Sequence, residues 1–384
     1  MSLTFNTVGV IGAGTMGAGI AQVAAQAGCR VKLFDAREGA AAAANAKTAD
    51  TLNALAAKGK ITAESAAATI SRLSAAPDLA DFHDCDLIVE AIVENLDAKR
   101  TLFKSLEGIC AASTVLATNT SALVRFSNGQ GKRQADGRPD VRGMAVKVLG
   151  VPGKKVIPGL EDAQTQDLLM IQSAAISFKN SDEFMFFVEA AGNPATLLPK
   201  LVWRFGLRRT LSILGQIKNG IAKPVVSLAT MPFYSALPVQ FGAYAVKYAV
   251  FPAQSAASGE VPGKTADYLS EDLKDRLAKG SLTFDLAVQF FCDEASTPIE
   301  DASVLWSEEK SPYVKVARLH LPQQDLRAGA GLQLQQRVES LSFDPWHALV
   351  EHRPLGEIMR ARNVAYRVST QTRQAAPEPT GDEK

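Results

Sequence analysis

The stretch VGVIGAGTMG, residues 8–17, decides the fold of the first third of this chain. Its β-branched opening reads as a strand and runs straight into Gly12-Ala13-Gly14-Thr15-Met16-Gly17, after which residues 15–27 read as a helix. Gly12 permits a tight turn, Gly14 lets backbone approach a pyrophosphate, and Gly17 lets helix and strand pack closely. The helix start then offers N–H groups and a partial positive charge to phosphates. The spacing GxGxxG alone is weakly diagnostic. Here it lies between a strand and a helix, and Asp35 ends the next strand about 20 residues on. The Asp35 carboxylate can accept hydrogen bonds from both ribose hydroxyls and repels a 2′-phosphate, so NAD is expected rather than NADP.

The same rhythm continues outward from this loop. Residues 30–34 read as a second strand, residues 36–60 and 63–73 as Ala-rich helices, and DLIVEAI (86–92) as a strand buried on both faces. Residues 97–110 read as a helix and 114–117 as another strand. Strands alternating with helices imply βαβ units and a parallel sheet. After residue 122 the style changes. Residues 125–158 are dense in Gly, Pro and charge, and no second βαβ series follows. VKVARL (314–319) alternates like a half-buried antiparallel strand, and Pro354 opens a helix over 355–372. The tail AAPEPTGDEK is polar and proline-rich, so disorder is expected there.

The bulk composition narrows the classes. The chain has 384 residues, enough for two or three domains, with 47% hydrophobic and 21% charged residues. A net charge of +1 gives no reason to expect a nucleic-acid partner. Cys29, Cys85, Cys110 and Cys292 are scattered without metal-ligand spacing, as expected of thiols in a reducing compartment. No signal peptide and no membrane span are expected, so the cytoplasm is the default location and small molecules are the expected partners. Nothing in the sequence sets an oligomeric state.

Residues 1–121 resemble the front of a 3-hydroxybutyryl-CoA (3-hydroxyacyl-CoA) dehydrogenase through VGVIGAGTMGAGIAQ, DLIVEAIVENLDAKRTLF and VLATNTS. The resemblance implies that Glu94, Lys99 and Ser121 contact NAD or substrate, beside Gly12, Gly14, Gly17 and Asp35. It also places Lys58 and Lys60 where coenzyme A phosphates could be met. The family's chemistry needs a histidine, oriented by a glutamate, to take the hydroxyl proton while hydride leaves for NAD. That histidine follows the Asn-Thr-Ser strand in the family. Here ALVRFSNGQ follows, and the next histidine is His320.

Residues 122–370 resemble the catalase-like haem proteins. The carriers are ALVRFSNGQGKRQADGRPDVRGMAVKV, QDLLMIQSAAISFKNSDEF and FDPWHALVEHRPLGEIMRARNVAY. Arg362 and Tyr366 are spaced i, i+4 on one helix, so their side chains meet. A phenolate is an anionic axial ligand for ferric haem, and a neighbouring guanidinium favours that charged form. The resemblance therefore makes Tyr366 the haem-iron ligand, Arg362 its partner, Arg125 a propionate partner and Phe184 a ring near the haem face. His347 and His352 are read as structural. The family's distal histidine lies upstream, where this chain is dehydrogenase-like and carries only His83. Gln172 stands near the family's distal asparagine.

The expected architecture is an α/β Rossmann-type partial parallel sheet over 1–121, then an α+β catalase-like antiparallel β-barrel with helices over 122–370 and a disordered tail over 371–384. The join between Ser121 and Ala122 removes the catalytic histidines of both families and carries no Gly/Ser/Pro spacer. The expectation is a composite of two oxidoreductase fragments with no complete active site, able to bind NAD or haem. Two alternatives are a haem-dependent peroxide-using oxidoreductase and an NAD-dependent 3-hydroxyacyl-CoA dehydrogenase.

Overall fold

The computed structural model describes residues 5–93, 96–111, 113–118, 120–129, 134–221, 225–253 and 265–380. The chain divides into two compact units, residues 1–120 and 121–384.

The first unit is built on five parallel strands: β1 (Thr7–Ile11), β2 (Arg30–Phe34), β3 (Leu73–Ala75), β4 (Leu87–Glu90) and β5 (Val115–Thr118). Their spatial order is β3-β2-β1-β4-β5. β1 is buried along its whole length because it is the central strand. The helices are α1 (Thr15–Gln26), α2 (Ala40–Ala57), α3 (Ala63–Ser71) and α4 (Leu96–Glu107). Two apolar clusters anchor the sheet. Ala21, Ala25 and Ala41 pack with Val8, Val10, Val31 and Leu33. Phe82, Leu102 and Leu106 pack with Ile11 and Ile88. The order reverses at β1, between β2 and β4, and a doubly wound sheet binds its ligand at such a switch point, beyond the carboxyl ends of the strands.

The second unit is a single antiparallel sheet of β6 (Ala122–Asn128), β7 (Arg142–Leu149), β8 (Thr165–Ile171), β9 (Phe233–Tyr234), β10 (Val239–Phe241), β11 (Tyr244–Pro252), β12 (Leu282–Phe290) and β13 (Val314–Leu321). Its helices are α5 (Ser181–Ala191), α6 (Pro194–Ile221), α7 (Tyr268–Lys279), α8 (Gly329–Ser340) and α9 (Glu357–Thr372). The core joins Met144, Phe233, Tyr248 and Phe284 from the sheet to Tyr268, Leu269 and Leu277 of α7.

The expected closed barrel is corrected here. The sheet runs β13-β12-β11-β9-β8-β7-β6 and stays open, with β6 and β13 as its two ends. Closure requires the first and last strands to pair, and these do not. β13 is exposed almost throughout, with Val314 and Val316 each 47% exposed. Its edge is blunted by charge instead: Lys315 and Arg318 both pair with Asp285 of β12. The middle of the sheet is also weak, since β8 and β9 share only the Ile171–Tyr234 pair.

The C-terminal tail differs from the expectation of disorder through residue 380. Its Glu378 carboxylate enters a buried polar cluster, accepting from Lys147 Nζ at 2.7 Å, Thr165 Oγ1 at 2.9 Å and Ser342 Oγ at 3.0 Å. A buried ammonium needs paired anions, and this one recruits the tail. Residues 381–384 lie outside the described residues. No helix among the described residues is long and apolar enough to cross a membrane.

Candidate functional site

The glycine loop lies at the carboxyl end of β1, where the strand order reverses. Gly12 has φ +109°, and a Cβ there would stand 2.4 Å from the Ala91 carbonyl oxygen. Its N–H donates to the Phe34 carbonyl at 2.7 Å, which ties the turn to β2. A Cβ on Gly17 would lie 1.7 Å from the Gly12 carbonyl oxygen, so α1 can start this close to the loop only with glycine. Gly14 has the opposite surroundings: a Cβ would meet nothing within 4 Å. The space above the helix start is therefore open. No side chain caps α1, so its first N–H groups face that space without a protein cap.

Asp35 ends β2 beside this loop. Its Oδ2 accepts from Ala13 N–H at 2.7 Å and from Arg37 Nη2 at 3.2 Å. Its Oδ1 accepts from Arg37 N–H at 2.9 Å and Arg37 Nε at 3.0 Å. The Arg37 hydrogen bonds outweigh the cost of partial burial and hold the carboxyl at about 2, so it is ionised at neutral pH. Arg37 is the residue that sequence reasoning missed here. An arginine two positions after the acid that ends β2 was the available signal.

A second missed residue is Glu90, fully buried at the carboxyl end of β4. Its Oε1 accepts from Ile92 N–H at 2.6 Å. Its Oε2 accepts from Thr118 Oγ1 at 2.6 Å and pairs with Lys99 Nζ at 3.1 Å. A carboxylate in the middle of the otherwise apolar stretch LIVEAI was the signal. Glu90 thereby holds Lys99, 14% exposed, at the same edge of the sheet as the glycine loop. Glu94 lies outside the described residues. Ser121 belongs to the second unit, where its carbonyl accepts from Leu149 N–H at 2.8 Å. Lys58 and Lys60 are exposed just after α2. His83 is exposed and precedes β4, so it sits at the sheet's opposite edge from the loop.

The haem residues expected in the second unit are not gathered at one cavity. Arg362 Nη2 does donate to the Tyr366 hydroxyl at 2.9 Å, with the guanidinium 5.1 Å from the ring centroid. Arg125, however, pairs with Glu339 at 3.3 Å and lies over Phe343. Phe184 and Gln172 line a cavity of about 1080 Å³ whose walls include none of Arg125, Arg362 and Tyr366. Gln172 is spent on the Gly220 carbonyl at 2.6 Å and on Arg142 N–H at 2.9 Å. His347 is buried against Thr165, and His352 stacks on Phe241, so both are structural contacts. No group of three or more His, Cys, Asp or Glu residues able to hold a metal ion occurs among the described residues.

The first unit is thus a dinucleotide-binding fold of the dehydrogenase type. Residues 7–127 match the family described as 3-hydroxyacyl-CoA dehydrogenase, NAD binding domain. A 3-hydroxyadipyl-CoA dehydrogenase of Escherichia coli is 42% identical over 123 residues, covering 32% of this chain and 26% of that protein. A probable 3-hydroxybutyryl-CoA dehydrogenase of Bacillus subtilis is 43% identical over 114 residues, covering 30% and 40%. The crystal structure of an Escherichia coli 3-hydroxybutyryl-CoA dehydrogenase shares 42% identity, covers 32% of this chain and 26% of its own, and has a TM-score of 0.31. This chain spans less than half the length of each of these relatives. Neither they nor the open sheet support the haem reading of residues 122–370.

Proposed function

We propose that the first unit binds NAD through Gly12, Gly14, Gly17 and Asp35, with Lys99 beside the nicotinamide end, as an NAD-binding module of the 3-hydroxyacyl-CoA dehydrogenase kind. The observation that carries this is the open space at Gly14 facing an uncapped helix start, with an ionised Asp35 within reach of the same loop. The loop amides and the helix N-terminus take the pyrophosphate, and Asp35 takes the adenosine ribose. NAD, when bound, supplies a hydride acceptor. Within this unit Lys99, oriented by Glu90, offers a positive charge to an acyl-CoA carbonyl or hydroxyl. The proton acceptor that hydroxyl oxidation needs is not supplied by His83, which faces the other edge. The function proposed is therefore NAD binding by the first unit, with His83 taking no part in any hydroxyl oxidation there.

Titration of NADH by its fluorescence, paired with an assay of NADH oxidation by acetoacetyl-CoA, tests this. Saturable NADH binding that Asp35→Asn weakens, with no oxidation above buffer, is the expected result. Absence of NADH binding overturns the proposal. Turnover instead establishes the second reading, a complete 3-hydroxyacyl-CoA dehydrogenase, which the identity to the Escherichia coli and Bacillus subtilis enzymes favours.

A further inference from the structure

The cavity of the second unit has a chemistry of its own, independent of the dinucleotide site. At about 1080 Å³ it is large enough for an organic molecule, and its lining is mostly apolar. Phe178, Phe184 and Phe187 form one aromatic group, with Phe178 set at 5.4 Å from Phe184 and 5.1 Å from Phe187. Tyr234 and Tyr313 form another, their centroids 6.4 Å apart. Phe251 stands edge-on to both tyrosines, at 5.9 and 5.1 Å, and fixes their orientation.

Among the described residues, the charged lining has one sign. Asp140 and Glu308 are the charged residues among the described lining, and no Lys, Arg or His accompanies them. Asp140 is engaged by its own unit, with its Oδ2 3.9 Å from buried Arg142 Nη1, an arginine it shares with Asp136, and its Oδ1 accepting from Val141 N–H. Glu308 is exposed at the lining and has no ion-pair partner among the described residues. Tyr234, Tyr313 and Glu308 line the same cavity; burial, and secondarily the Glu308 charge, raises the titration of Tyr234, and burial followed by Tyr234 and Glu308 raises that of Tyr313, so both phenols stay neutral. Trp306, another lining residue, holds the Lys247 ammonium 4.9 Å from its ring centroid, with Lys247 itself buried behind the wall and outside the lining. The π-faces here thus do take cations.

We propose that this cavity is a binding site for a lipophilic organic cation, a substituted ammonium carried on an apolar or aromatic body. The ammonium sits between Glu308 and the Tyr234 and Tyr313 rings, and the body packs against Phe178, Phe184 and Phe187. Tyrosine faces and one carboxylate recognise an ammonium by the ring quadrupole and by charge, and neither recognises a phosphate or carboxylate ligand. The carboxylates of the described lining favour a cation over an anion there.

Isothermal titration of the full chain with three matched probes tests the assignment. These are trimethyl(4-phenylbutyl)ammonium, its neutral carbon isostere with a tert-butyl head, and 5-phenylpentanoate. The ammonium is expected to bind about tenfold more tightly than the neutral isostere, and the carboxylate not to bind. Glu308→Gln, at an exposed position, is expected to cost the ammonium about fivefold and to leave the isostere unchanged. Phe184→Ala is expected to weaken both. Equal affinity for ammonium and isostere, binding of the carboxylate, or no binding of the ammonium overturns the proposal.

Discussion

Arg37 holds both carboxylate oxygens of Asp35, with Nε 3.0 Å from Oδ1 and Nη2 3.2 Å from Oδ2. With Ala13 N–H and Arg37 N–H added, the carboxylate's acceptor positions are largely taken by its own unit. A ribose diol must displace the guanidinium, whose side chain is 74% exposed and moves at little cost. If displaced by a bound ribose, it would remain tethered two residues from Asp35, within reach of the 2′ position. Arg37→Ala is expected to strengthen NADH binding about two- to fivefold and to widen the preference for NADH over NADPH about tenfold. Paired titrations of the two reduced nucleotides at one ionic strength measure this ratio. An unchanged ratio removes Arg37 from cofactor choice.

Gly14 and Gly17 are expected to separate binding from folding. Gly14 has φ −69°, which alanine adopts freely, and space for a Cβ. Gly14→Ala is expected to change stability by no more than about 1 kcal/mol, while its methyl obstructs the pyrophosphate and lowers NADH affinity about tenfold or more. Gly17→Ala forces its Cβ against the Gly12 carbonyl and is expected to cost about 3 kcal/mol. Thermal melts and NADH titrations of both variants read the two effects apart.

Glu90 and Lys99 are expected to behave as a coupled pair. Glu90→Ala leaves Lys99 without its buried carboxylate and two hydrogen bonds without an acceptor, at about 3 kcal/mol or more. Lys99→Met is expected to cost less, and the double variant less than the sum. Urea unfolding of the four proteins in the cycle checks the coupling, and additivity within about 0.5 kcal/mol would show the pair to be uncoupled.

Glu378 is expected to carry a pH dependence in the second unit. Burial opposes its ionisation, but the His347 and Lys147 contacts outweigh that and hold it at about 2. A carboxyl lowered on folding stabilises above its unfolded pKa, and that contribution is lost as pH falls through the folded value. Stability should therefore drop between about pH 4.5 and pH 2. Glu378→Gln should flatten that slope, and Glu378→Ala should cost about 2 kcal/mol at neutral pH, because Lys147 keeps only Asp167 as its anion and the Thr165 and Ser342 hydroxyls lose their acceptor. Asp167, the fully enclosed partner of Lys147, is pushed up to about 6 by burial and works in the opposite sense. Its cost is absent at low pH and grows as pH rises from about 4 to 6. Denaturant midpoints across pH in wild type and Glu378→Gln separate the two.

The sequence by itself determined the first unit's loop and its acid. Gly12, Gly14, Gly17 and Asp35 announce themselves because turn sterics, helix start and strand end are local, and each needs a particular residue at a short spacing. The Arg362–Tyr366 contact was legible for the same reason, being one turn of a helix. The tertiary structure alone decided what those local pieces do together. Lys99 meets Glu90 across a strand end, and Glu378 reaches Lys147 from 231 residues away, which no spacing rule anticipates. Whether the second sheet closes depends on its first and last strands finding each other, and Ala122–Asn128 and Val314–Leu321 do not. The resemblance to a haem protein rested on side chains close in sequence. The cavity is drawn from β8, α5, α6, β9 and the loop before β13, so its aromatic and acidic character emerges only when the chain is folded.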